Sequence, residues 1–290
     1  MATLRDIKRK IGAVTKTQSI TRAMNMVAAA KLRTTQVKME RFKSYSEKYK
    51  EVITRLTQVA PIGEEFSLLE VREEIKKVHL VAIGSDRGLC GAYNSNLVRE
   101  VEKFITDAKS KDQETFLTIV GRKIRDYFRR RAVNIKAQYV GVVGKIDYIM
   151  ARRMAEDIVS SFTSGEADEV YVFYNRFVSM VRQEPTVEQF LPIKPEVPEE
   201  GVSLLEYIYE PSPRLILEQI LPKSLNIHLY SSILESEVGE HAARMRAMEN
   251  ATSNCKELIT TLTLIFNKTR QAAITRELMD IVGGAEALRS

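Results

Sequence analysis

No stretch of the chain reaches eighteen consecutive apolar residues, so no segment is expected to cross a bilayer as a helix. The opening residues, MATLRDIKRK, lack the apolar core of an export signal, and secretion is not expected. Only two cysteines occur, Cys90 and Cys255, in separate segments; this excludes a disulfide framework and reads as two reduced thiols. The three histidines, His79, His228 and His241, are scattered, with no cysteine or carboxylate at metal-ligand spacing. Each reads as a packed or surface side chain. Glycine and proline are missing from two long stretches. Leu4 to Gln58 holds no proline and one glycine, Gly12, and neither residue type falls between Gly239 and Gly283. Such gaps exclude tight turns and leave long helices as the reading.

Both stretches carry a heptad stripe. In the first, positions four and three apart read Ile7, Ile11, Val14, Gln18, Thr21, Asn25, Ala28, Leu32, Thr35, Met39, Phe42, Ser46, Tyr49, Ile53 and Leu56. In the second, the stripe runs Leu234, Val238, Met245, Met248, Cys255, Ile259, Leu262 and Phe266, interrupted by His241 and Thr252. The phase then slips, and Ile274, Leu278, Ile281, Ala285 and Leu288 are expected to continue it. A narrow stripe of period 3.5 suits a coiled-coil seam better than a globular helix. At 1.5 Å per residue the helices would run roughly 80 and 90 Å. They are expected to pair with each other, antiparallel, over about 4–58 and 224–287, because the segment between them can fold at their base.

That segment has another texture. Val78 to Gly84 and Thr115 to Gly121 are short apolar runs that read as buried strands, and Val133 to Val140 reads as a third. Helices are expected at about 94–108, 122–131 and 146–162. Glu169 to Tyr174 and Arg176 to Arg182 read as two further strands, and Thr186 to Pro192 as one more. Alternating strands and helices imply βαβ units and a mostly parallel sheet. Pro192, Pro195, Pro198, Pro211 and Pro213 mark a linker, and Pro222 is expected at or near the start of the last helix. The fold class is therefore α/β, with a Rossmann-like middle (60–212) between coiled-coil helices at 1–59 and 213–290. With 290 residues and 44% hydrophobic content, that middle can bury a core, as expected of a soluble intracellular protein.

Charge is uneven. Residues 1–59 hold 14 Lys/Arg against 4 Asp/Glu, residues 60–212 hold 21 against 25, and residues 213–290 hold 9 of each. A strongly basic helix beside a neutral one fits a solvated face, an acidic protein surface around the rod, or nucleic acid. The basic residues spread along the helix without interleaved aromatics, which weighs against nucleic acid. The turn Ser85 to Gly91 (SDRGLCG) follows a strand and precedes a helix, as a phosphate-cradling turn would. It has neither G-x-G-x-x-G spacing nor the Lys-Ser/Thr of a Walker A loop. Arg87 could lower the pKa of Cys90, but a buried thiol after a turn is the commoner case. No catalytic or metal-binding constellation is expected.

Five motifs carry a family resemblance. Thr17 to Lys31 (TQSITRAMNMVAAAK), Ser85 to Gly91, Glu184 to Gln189 (EPTVEQ), His241 to Met248 (HAARMRAM) and Asn267 to Leu278 (NKTRQAAITREL) resemble, in order, signatures of the γ subunit of rotary ATP synthases. They span nearly the whole chain. Neither the plant dithiol insertion nor a transit peptide is present, which favours the bacterial type.

The resemblance implies a non-catalytic shaft without cofactor or metal, turning inside a ring of three α and three β subunits. It couples proton flow through the c-ring to ATP synthesis or hydrolysis on β. Expected partners are α, β, the epsilon subunit and the c-ring, at the cytoplasmic face of the bacterial plasma membrane, touching the membrane only through the c-ring. By motif, Met24 and Arg244 are expected to face the β levers, and Arg270, Gln271 and Thr275 to meet a β loop. Tyr207, Tyr209 and Glu210 are expected at the c-ring foot. The basic face, with Arg9, Lys10, Arg22, Lys31 and Arg33, is expected to meet acidic lever loops. Ile281, Val282, Ala285 and Leu288 would form an apolar bearing tip. A coiled-coil scaffold or nucleic-acid-binding rod is the alternative.

Overall fold

The computed structural model describes residues 3–59, 66–194 and 209–287. Among the described residues, five strands and five helices follow in the order α1 (Leu4–Val59), β1 (Lys77–Ile83), α2 (Tyr93–Ser110), β2 (Glu114–Val120), α3 (Arg122–Phe128), β3 (Asn134–Tyr139), α4 (Tyr148–Thr163), β4 (Glu169–Phe177), β5 (Gln183–Leu191) and α5 (Pro213–Ala287). The chain divides into two compact units: Met1–Ala28 with Met245–Ser290, and Ala29–Arg244.

The larger unit contains one sheet, in the order β3-β2-β1-β4-β5. β1 pairs in parallel with β2 and β4, β2 pairs in parallel with β3, and β5 runs antiparallel along β4. β1 is buried at every position after Lys77, because helices cover both of its faces. α2 and α3 pack on one face through Leu97, Val101, Ile124 and Phe128. On the other, Met154, Ile158 and Phe162 of α4 join Ile53 and Leu56 of α1 and Leu217, Leu221, Leu225 and Ile233 of α5. β3, at the sheet edge, alternates between exposed and half-buried positions instead. Within this unit α1 and α5 run antiparallel: Thr35 Oγ1 donates to Glu237 Oε1 at 3.3 Å and Tyr49 hydroxyl to the Ile220 carbonyl at 3.3 Å.

The smaller unit is the two-helix part alone. Thr21 and Thr252 share a hydroxyl hydrogen bond at 2.8 Å, and Asn25 Nδ2 donates to the Met245 carbonyl at 2.8 Å. Thr21 and Asn25, two polar positions of the seam, thus meet polar partners. All fifteen expected seam positions of α1 are buried or half-buried, as are the eight from Leu234 to Phe266 on α5.

Four expectations need correction. The seam does not continue through Ile274, Leu278, Ile281 and Ala285, which are exposed; half-buried Thr269 and Ala273 end it. The cause is length. With Thr21 opposite Thr252, stepping 17 residues back to Leu4 reaches about residue 269 on α5, and beyond that α1 offers no further partner among the described residues. Leu288 lies outside the described residues. Pro222 sits inside α5, whose first residue is Pro213, where a missing N–H costs nothing. Arg176 to Arg182 is not a separate strand: Arg176 and Phe177 finish β4, and the rest is a hairpin turn to β5. α3 stops at Phe128, short of Arg131.

Candidate functional site

The Ser85–Gly91 turn lies at the C-terminal end of β1, where a doubly wound sheet ordinarily opens a ligand crevice. Here the chain's own groups fill it. Gly121, at φ +106°, brings its backbone so close that a Cβ would stand 2.9 Å from the Gly84 carbonyl. Asp86 Oδ1 accepts from the backbone N–H groups of Arg122 (2.9 Å) and Gly141 (2.8 Å), and Oδ2 from that of Val143 (3.0 Å). Ser85 and Asn94 bind each other, Asn94 Nδ2 donating to Ser85 Oγ at 2.8 Å. Cys90 is buried, and burial pushes its thiol pKa up, so the turn does not generate a reactive thiolate.

α5 presses on the same turn. Arg244, only 8% exposed, donates from Nε to the Gly88 carbonyl at 3.3 Å and from Nη2 to the Arg87 carbonyl at 3.2 Å. The same guanidinium binds Glu240 Oε1 at 2.6 Å. Burial pushes the Glu240 carboxyl pKa up, and the Arg244 charge opposes that rise. His241 stands 3.6 Å from Glu237, which takes the Thr35 hydroxyl. One turn earlier, the buried Tyr93 hydroxyl reaches the Ser236 carbonyl at 2.5 Å, and Ser236 Oγ donates to the Ile83 carbonyl at 3.2 Å. Asp86, Tyr93, Ser236, Glu237 and Glu240 were not singled out from the sequence. Their signal was there in part: Glu237, Glu240, His241 and Arg244 recur at helical spacing beside an otherwise apolar seam.

Beside β5 lies a cavity of about 650 Å³ lined by Tyr49, Ile53, Glu188, Phe190, His228 and Glu235, among others. The Glu188 carboxylate is held by three partners. His228 Nε2 approaches its Oε2 at 2.9 Å, while the Tyr174 hydroxyl (3.0 Å) and Arg176 (2.8 Å) bind Oε1. Burial raises its pKa, but these hydrogen bonds outweigh burial and hold it down at about 2.

The residues expected to meet partners fall into separate groups. Arg9, Lys10, Arg22, Lys31 and Arg33 are exposed along α1, and Met24 is half-buried beside the seam. Arg270, Gln271 and Thr275 are exposed on α5, with the Thr275 hydroxyl donating to the Gln271 carbonyl at 3.0 Å. Ile281 and Val282 are 68% and 63% exposed, and Ala285 is exposed as well. Arg244 differs from all of these in being buried. Tyr209 is half-buried against the core and Glu210 is exposed, just before α5; Tyr207 lies outside the described residues. Among the described residues no cluster of three or more His, Cys, Asp or Glu could hold a metal ion, and no helix is long and apolar enough to cross a membrane.

The ATP synthase family model matches residues 3–288. Two curated relatives, both ATP synthase gamma chains, align over essentially their full length. That of Syntrophobacter fumaroxidans is 53% identical, covering 100% of each chain. That of Desulforapulum autotrophicum is 47% identical, covering 99% of this chain and 100% of its own. The chain belongs to the ATP synthase gamma-chain family. The fold is also shared with chains of solved assemblies. A chain of the Euglena gracilis mitochondrial ATP synthase in rotational state 3 superposes with a TM-score of 0.69 at 21% identity, covering 98% of this chain and 94% of that one. A chain of the Tetrahymena thermophila mitochondrial ATP synthase central stalk and c-ring gives 0.59 at 24% identity, covering 80% and 99%.

Proposed function

We propose that the chain is the non-catalytic rotor of an ATP synthase, coupling proton flow through a c-ring to ATP synthesis or hydrolysis on surrounding β subunits. One observation carries this reading beyond family membership. From Leu258 to Val282, α5 exposes eight large apolar side chains, ending in a helical stretch that has no partner helix among the described residues. A free helix end is ordinarily polar and frayed. Apolar contact is non-directional, so such an end suits a surrounding sleeve in which it turns without breaking specific hydrogen bonds.

On this reading Ile281, Val282, Ala285 and Leu288 form the bearing tip within a ring of α and β subunits. Met24, Arg22, Lys31, Arg33, Arg270, Gln271 and Thr275 meet the ring, while Arg244 serves it from inside by holding the turn beneath. Exposed ionic contacts of this kind are individually weak, ~1 kcal/mol or less, which allows them to break at each step. Tyr207, Tyr209 and Glu210 form the foot on the c-ring, with the epsilon subunit beside it. The protein is then peripheral, on the cytoplasmic face of the bacterial plasma membrane. The shaft helices, 1–59 and 213–290, and the body, 60–212, are its working parts.

Co-expression with α, β, epsilon and c subunits tests this. The chain is expected to co-purify at the centre of an α/β hexamer and to rotate under ATP. Hydrolysis coupled to proton transport in an assembly lacking this chain would refute it.

A further inference from the structure

In doubly wound sheets, ligand phosphates settle on backbone N–H groups at the C-terminal edge of the strands. This chain keeps such a nest, built from the N–H groups of Arg122, Gly141 and Val143, and the nest is filled by the carboxylate of Asp86. Its backbone is shaped for the purpose. Gly121, just before Arg122, and Gly141 both have positive φ, and the Arg122 guanidinium lies 3.8 Å from where a Cβ on Gly141 would stand. Three N–H donors on one carboxylate make a charge-assisted set that neither amide nor hydroxyl can copy. Asparagine has one acceptor oxygen, and alanine leaves the three donors without a carboxylate, that of Val143 in a half-buried place.

The residue after Asp86 is Arg87, whose carbonyl, with that of Gly88, accepts Arg244 from α5. The turn is therefore held from two sides, by the sheet through Asp86 and by the long helix through Arg244. We propose that Asp86 is a positioning residue for rotary coupling, an internal carboxylate standing where a phosphate would stand. It fixes the Ser85–Gly91 turn to the sheet so that twist passes between sheet and α5 through Arg244. This rests on the rotor reading above.

Asp86→Ala leaves a cavity the size of a small carboxylate, so formate can take the lost group's place. In the assembled synthase, protons pumped per ATP hydrolysed should fall several-fold in Asp86→Ala. Added formate should restore the ratio, and chloride at equal ionic strength should not. Asp86→Asn, which fills the space, should also couple poorly and ignore formate. If Asp86→Ala assembles only with formate, assembly itself becomes the readout, to the same effect. On the free full-length chain, formate should raise the melting temperature of Asp86→Ala and leave the wild type unmoved. That arm does not depend on the rotor reading. Coupling that stays normal in Asp86→Ala, or stays low while formate restores its melting temperature, would overturn the proposal, as would full coupling in Asp86→Asn. A formate response in the free chain that never enters a ring would instead count against the rotor reading.

Discussion

His79 sits on β1 with both ring nitrogens engaged: Nδ1 lies 2.9 Å from Ser161 Oγ and Nε2 lies 2.8 Å from Thr118 Oγ1. Ser161 already donates to the Ile158 carbonyl at 2.6 Å, so it accepts from Nδ1–H, and Thr118 donates to a bare Nε2. The ring is neutral and stacks on Phe116 at 4.5 Å. Burial, with Lys136 adding repulsion, pushes its pKa from 6.5 down to about 3. The folded pKa lies below the unfolded one, so stability is fully present above 6.5 and is lost as pH falls towards 3. By linkage the loss is about 2 kcal/mol at pH 5. Glu188, with its carboxyl held down at about 2, adds a loss of the same sign, confined to pH below its ordinary value of 4.5. His79→Gln removes the titration. The stability gap between wild type and variant, from urea unfolding, should therefore narrow by about 2 kcal/mol between pH 7.5 and pH 5. A gap independent of pH would mean that His79 titrates normally.

At the scale of elements, a paired seam and an unpaired tip respond oppositely to substitution. Leu32 is 3% exposed in the seam, so Leu32→Ala should cost ~2–5 kcal/mol of stability wherever the chain is measured. Ile281→Ser, at an exposed position, should change stability by less than ~0.5 kcal/mol in the free chain and weaken only the assembled complex. Thermal melting of the free chain, set against retention of α and β on purification, separates the two; a large loss from Ile281→Ser in the free chain would show the tip already packed. The same contrast explains what could be read from the sequence. Every position that period 3.5 singled out on α1 is buried or half-buried, because side-chain direction follows helix geometry. It misplaced the end of the seam, because where a helix loses its partner depends on the register set by Thr21 and Thr252, which periodicity does not encode. β1, β2 and β3 were legible as short apolar or alternating runs. The hairpin between β4 and β5 was not, since its turn, Val178 to Arg182, is rich in β-formers. Asp86 and Arg244 could not be paired at all, because the backbone groups that bind them belong to residues distant in sequence.

For the whole molecule, charge and fold are separable. The basic residues of α1 from Arg5 to Lys50 point to solvent, whereas the seam that holds the helix is apolar or neutral. Residues 1–59 carry a net +10, so changing Arg9, Lys10, Arg22, Lys31 and Arg33 to Glu, each reversal removing two charges, brings that segment to zero. None of the five lies at a seam position, and substitution at exposed helical sites rarely moves stability by more than ~0.5 kcal/mol. The melting temperature of the free chain should thus stay within a few degrees of wild type. Attraction to an acidic ring should fall, most at low ionic strength, where surface charges separated by more than ~10 Å still interact. In the wild-type complex, raising salt should mimic the variant; in the variant, salt should do little more. Proton transport per ATP hydrolysed, followed against salt for both proteins, decides the matter. Identical coupling and identical salt dependence would reduce the basic face to a determinant of solubility and leave the steering of the rotor to the polar contacts near Arg270 and Gln271.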